Sequence, residues 1–337
     1  MAQYFNLTLD TTAPQNGILS GLSAYYNANA TVTISADGAS FMKVWTNQNA
    51  VGTTDDASFP SSWEPYNTSK QVSFSGQGTQ YVHAQFMDNV GNIGPVVNSD
   101  STIYDTVNPV ISAVSINSGD SYTNHAANNV IRVTVTDATS GVQKLSLSGP
   151  STPTGDITFT ADDRTAGYKD IAITLTGADG TKTIQVTATD FAGNTCAASS
   201  DSITLDTTPA EGTLILRNAA DTANLPSFVN SYDYAAAIES TDTDIVQYKL
   251  WEGATEPSEW TAAHMSAGRQ VDTGLEFSTG EGQKTVYAKI KDISGNVTDL
   301  TPVMIEVDTT APVVTLSASP TVISEKSGHN QVTFVIN

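Results

Sequence analysis

The chain has 337 residues, of which 35 are Asp or Glu and 14 are Lys or Arg, giving a formal net charge of −21. That charge repels phosphate backbones and anionic bilayers, which excludes nucleic acid as a partner, and it suits divalent cations. The single cysteine, Cys196, excludes an intrachain disulfide, the four histidines have no paired metal spacing, and no stretch reaches the ~18 apolar residues of a membrane span.

The chain opens on Tyr4-Phe5-Asn6-Leu7-Thr8-Leu9, without the basic start and apolar run of a secretory leader. Residues 1–9 read as a lone strand. It either caps the neighbouring strands of its own chain or adds to the sheet edge of a neighbouring subunit through Tyr4, Phe5, Leu7 and Leu9, as an assembly strand would.

Two marks then recur about every hundred residues, a period of one small domain rather than of a solenoid unit. One is a junction: Asp10-Thr11-Thr12-Ala13-Pro14, Asp105-Thr106-Val107-Asn108-Pro109, Asp206-Thr207-Thr208-Pro209 and Asp308-Thr309-Thr310-Ala311-Pro312. The other is an Asp-x-x-Gly-Asn turn at Asp88–Asn92, Asp190–Asn194 and Asp292–Asn296. The marks divide the chain into modules at 10–104, 105–205 and 206–307, with the incomplete start of a fourth at 308–337.

Within each module the pattern is β. Ala30-Thr31-Val32-Thr33-Ile34-Ser35, Val130 to Thr136 and Lys182 to Ala188 alternate apolar and polar side chains, and Thr and Val favour strand over helix. A strand with a central Lys follows the first alternating run: Phe41 to Trp45, Val142 to Leu145, Val246 to Trp251. A Gly-bounded turn then precedes a strong strand, and the Asp-x-x-Gly-Asn turn closes it; the Gly supplies positive φ and the Asp bonds local amides. No run with period 3.6 predicts a helix, and Asp162-Asp163-Arg164 reads as a solvated polar loop. Short strands separated by Gly, Asn, Asp and Pro predict two-sheet sandwiches.

With the junctions, the turns and the segment from Trp63 to Asn92, the chain resembles the bacterial Ig-like repeats of surface adhesins and of bacteriophage tail and fibre proteins. The resemblance implies an all-β fold of tandem immunoglobulin-like Greek-key β-sandwich modules. As a linear rod, these would span on the order of 120 Å. Module two departs from the family pattern in lacking the tryptophans of modules one and three.

Two kinds of chemistry have residues to support them. Calcium takes six to eight oxygens, and the junction and turn acids Asp88, Asp105, Asp190, Asp206, Asp292 and Asp308 offer them. The alternative is that each acid only accepts backbone amides. Trp63, Tyr66 and Trp260 could stack on a host-surface glycan, or pack within their own modules. Catalysis has no nucleophile elbow, His-Glu-x-x-His or phosphate loop to carry it. The expected role is therefore non-enzymatic: a structural or host-attachment component of a phage virion (tail, baseplate or fibre), with other virion subunits or further copies of the chain as partners. The absent leader favours the virion. The alternative is a bacterial cell-surface adhesin or S-layer stalk; a depolymerase with its catalytic part elsewhere comes third.

Overall fold

The computed structural model describes residues 8–314. The chain divides into two compact units between Thr207 and Thr208. The first unit holds two β-sandwiches with separate cores, one around Val32, Ile34, Met42 and Phe86 and one around Ile131, Leu145, Ile184 and Ile203. The second unit holds one, around Leu216, Tyr234, Ile290 and Val307.

The three sandwiches repeat one plan. An opening strand (Gln15–Ser20, Val110–Ile116, Thr213–Asn218) pairs antiparallel with a second strand (Ala30–Asp37, Asn129–Thr136, Asp233–Glu239). Between them the chain crosses to the other sheet. There a two-residue edge strand (Tyr25–Tyr26, Tyr122–Thr123, Phe228–Val229) runs parallel to the closing strand (Thr102–Tyr104, Ser199–Leu205, Val303–Val307). That sheet is completed by the Lys strand (Phe41–Asn47, Val142–Ser148, Ile245–Glu252) and a long strand (Gly78–Met87, Gly180–Asp190, Gly282–Asp292). This switch of sheets after the first strand is the Greek-key immunoglobulin arrangement.

The alternation read from the sequence sets which face is buried. In Ala30–Asp37 the side chains of Ala30, Val32 and Ile34 point into the core while Thr31, Thr33 and Ser35 are exposed. Full burial of a Val or Ile contributes about 1.5–3 kcal/mol, so a one-residue slip would turn this whole set to water.

Leu9 lies in no strand and is 84% exposed, and Tyr4, Phe5 and Leu7 fall outside the described residues, as does most of 308–337. Residues 161–166 correct the loop expected there. They form a short helix, with Thr160 and Asp163 exchanging side-chain-to-backbone bonds in a capping box and Gly167 closing it in the left-handed region. Asp163 also pairs with Lys169 at 2.6 Å, so it is no freely solvated carboxylate. The segment is too short for its period to show.

Candidate metal centre

The closing ends of the three sandwiches are built alike. The backbone N–H of each junction Asp extends the edge-strand pairing of the preceding sandwich. Asp105 donates to Tyr26 O at 2.8 Å, Asp206 to Thr123 O at 3.0 Å and Asp308 to Val229 O at 2.9 Å. The next residue is clamped by the turn that enters the long strand. Gln77 accepts from Thr106 N at 3.0 Å, Asp179 from Thr207 N at 2.8 Å and Glu281 from Thr309 N at 3.0 Å. Sequence reasoning missed this clamp. Its signal is positional: an acceptor-bearing residue just before Gly78, Gly180 and Gly282, 29 or 28 residues before its Thr.

The turn acids cap the long strands. Asp88, Asp190 and Asp292 are all buried, and each accepts from the backbone N–H of the Asn four residues on, at 2.9, 2.8 and 2.9 Å. The glycines between, Gly91, Gly193 and Gly295, have φ of 97°, 93° and 98°, which the tight turn requires. The Asn side chain then reaches back to the start of its own sandwich. Asn92 Nδ2 donates to Asp10 O at 3.1 Å and Asn194 Nδ2 to Asp105 O at 2.9 Å. In the first two sandwiches the turn acid therefore sits beside the junction that opens its repeat, not the one that closes it.

In the second sandwich this brings three carboxylates together. Asp105, Asp137 and Asp190 each place one oxygen within 4.8 Å of the others. Asp105 and Asp190 are fully buried. Asp137, outside both recurrent marks, opens the turn from the second strand into the Lys strand and accepts from Ser140 N at 3.0 Å and Gly141 N at 2.6 Å. Ser140 N is shared, for it also points at Asp105 Oδ2 at 3.0 Å. Ser140 Oγ is buried without a hydrogen-bond partner. None of the three acids is ion-paired among the described residues. Burial, and with it the charges of Asp105 and Asp190, pushes the Asp137 carboxyl above its ordinary range.

These donors fit a hard divalent cation. Calcium–oxygen bonds of about 2.3–2.6 Å span oxygens some ~4.8 Å apart across the ion, and carboxylate and hydroxyl oxygens are its usual ligands. A cation there would neutralise the repulsion that raises Asp137.

The first sandwich repeats the acids in a looser form. Asp10, Asp37 and Asp88 line a cavity of about 460 Å³. Asp37 takes Asn16 Nδ2 at 2.8 Å. Burial works against ionisation of Asp88, but bonds from Asn92, Val90 and Gly91 outweigh it and hold the carboxyl below its usual range. In the third sandwich Asp292 bonds its own Asn296, and Asp308 is exposed and accepts from Thr310 N at 3.0 Å.

The aromatic residues take other positions. Trp63 stands 5.2 Å from Lys43 Nζ and Trp260 5.0 Å from Lys249 Nζ, both as cation–π partners of the central lysines. Tyr66 meets Phe86 edge-on at 6.1 Å and its hydroxyl accepts from Ala36 N at 3.2 Å, so it packs against the core rather than beside Trp63.

No protein-family model matches the chain, and no curated protein matches it in sequence. Among solved structures it is similar to a tetra-tandem repeat from the extending region of a large adhesion protein (18% identity, 89% of this chain and 76% of that one, TM-score 0.31). It is also similar to a 1.5-MDa bacterial ice-binding adhesin (14% identity, 84% and 93%, TM-score 0.36). A third is the Escherichia coli adhesin FdeC (15% identity, 86% and 95%, TM-score 0.41). No helix among the described residues is long and apolar enough to cross a membrane.

Proposed function

We propose that the chain is a non-enzymatic string of sandwiches that carries or presents other parts of a surface assembly, with divalent cations, calcium above all, bracing its joints. The observation that carries this reading is Asp105. Its N–H belongs to the sheet of one sandwich, while its carboxylate and carbonyl belong to the acid cluster and turn of the next. A cation held by Asp105, Asp137 and Asp190 therefore acts on the linkage as well as on one module. The recurrence of the same backbone bond at Asp206 and Asp308, at the end of each sandwich, supports a role in which linkage is the selected property.

The setting is either a phage virion, in the tail, baseplate or a fibre, or a bacterial surface as an adhesin; both use such strings for attachment. Partners are then neighbouring subunits of the assembly and a target on the host surface. Antiserum raised against the chain distinguishes the settings: it labels purified phage particles in the first and intact cells in the second. Labelling confined to the cell interior contradicts both.

A further inference from the structure

The closing end of the third sandwich presents, uncovered, a surface that is covered in the first. There Tyr25 opens the two-residue edge strand and lies opposite Ile103, two residues before the junction Asp105. Its ring is covered from beyond that junction, by Phe191 stacked on it at 5.2 Å and 21°. Phe228 holds the same place in the third sandwich, opposite Glu306, which stands two residues before Asp308. Its ring is 72% exposed.

A single exposed ring needs no explanation, but here a wall is built around it. The loop leading into the edge strand runs over 219–227 in the third sandwich, against 21–24 and 117–121 in the other two. It doubles back along its own opening strand: Asn218 N donates to Ala223 O and Leu225 N to Leu216 O, both at 2.9 Å. That return sets Leu225 and Pro226 with Phe228 and Val229 on the wall of a cavity of about 570 Å³. Asp233 and Asp308 line the same cavity. The Asp233 carboxylate has no hydrogen-bond or ion-pair partner among the described residues.

We infer that this surface is the seat of residues 315–337 of the same chain, with Phe334 set against Phe228 and Lys326 facing Asp233 and Asp308. The segment starts where the surface lies, since Asp308 is bonded to Val229 O at 2.9 Å and is itself part of the cavity wall. Val313 and Val314, the last residues before it, are 84% and 51% exposed.

The sequence of the segment matches the surface in chemistry. Phe334 is its one Phe, Tyr or Trp, and Lys326 is the one Lys or Arg after Lys291. Val332, Phe334 and Ile336 recur at every second position, the spacing that puts side chains on one face of an extended run. At ~3.3 Å per extended residue, the stretch from Val314 to Phe334 has reach to spare. Two phenyl rings in contact take apolar area from water on both sides, as the Tyr25 and Phe191 rings do at the first joint.

The test is hydroxyl-radical footprinting of the full chain, read residue by residue by mass spectrometry. Phe228 is expected to oxidise about threefold or more slowly in the full chain than in a chain ending at Val314, with Tyr168 of the second sandwich as the unchanged reference. Within the full chain, Phe334→Ser should raise Phe228 oxidation toward the level of the shortened chain. Lys326→Glu, which sets a third carboxylate against Asp233 and Asp308, should raise it as well. These two variants carry the test if the shortened chain fails to fold. Equal oxidation of Phe228 in the full chain and in Phe334→Ser overturns the inference. Protection that survives the shortening and fades on dilution also overturns it, and gives the surface to a second copy of the chain instead.

Discussion

The first two sandwiches carry the same three acids on the same three elements, yet the acids do different things. In the first, Asp10 is exposed, Asp37 is taken by Asn16, and Asp88 is satisfied by three amides of its own turn. In the second, Asp105 and Asp190 are fully buried and Asp137 is drawn in beside them. The difference lies in what surrounds the acids. The Ala-Thr-Ser-Gly loop after Asp137 folds over so that one amide, Ser140 N, faces two carboxylates. In these two sandwiches, therefore, the repeated residue type forms a buried carboxylate cluster where the neighbouring loop covers it.

Substitutions can break this comparison. The largest effect is expected from Asp105→Ala, which removes the acceptor of the Val107 N–H and leaves Asp137 alone to accept the Ser140 N–H; lost hydrogen bonds to a charged acceptor cost about 1.5–3 kcal/mol. Asp10→Ala, exposed, should fall within ~0.5 kcal/mol of wild type. Urea unfolding of both variants reads the contrast, and equal losses would erase it.

Gly52→Ala comes next and acts on the first sandwich alone. The added methyl meets the His83 ring, and overpacking of this kind costs about 1–3 kcal/mol. Amide exchange should rise across the first sandwich and not the second.

Phe191→Ala tests the joint itself. Phe191, one residue after the turn acid, stacks on Tyr25 of the preceding sandwich at 5.2 Å and 21°, and Arg164 lies 5.0 Å from the same ring. Losing the aromatic pair should cost about 0.5–1.5 kcal/mol, and calorimetry should show the two sandwiches unfolding less cooperatively. The smallest effect, about 0.5–1 kcal/mol, belongs to Thr160→Ala, which opens the capping box of the short helix that carries Arg164.

The strands of both sandwiches were legible because Thr and Val alternate cleanly and one face of each sheet is buried. The turn acids were legible because the Asp-x-x-Gly-Asn spacing is strict and its glycine requires positive φ. Asp137 was not, because it lies outside both recurrent marks, in a loop whose length differs between modules. The clamp on the junction Thr was hidden for a different reason: Gln77, Asp179 and Glu281 share only an acceptor oxygen. Where Trp63 and Tyr66 stand was not legible either: one ring lies over Lys43 and the other against Phe86.

The central claim is that Asp105, Asp137 and Asp190 hold a divalent cation that ties the joint. Amide exchange of the Ser140 and Asn194 N–H groups, measured on the full chain in calcium and in chelator, tests it most directly. Calcium should slow both amides in the wild type. It should do nothing in Asp137→Asn, which in chelator should be the more stable of the two because it carries one fewer of three crowded charges. Identical exchange with calcium and with chelator in the wild type would contradict the claim.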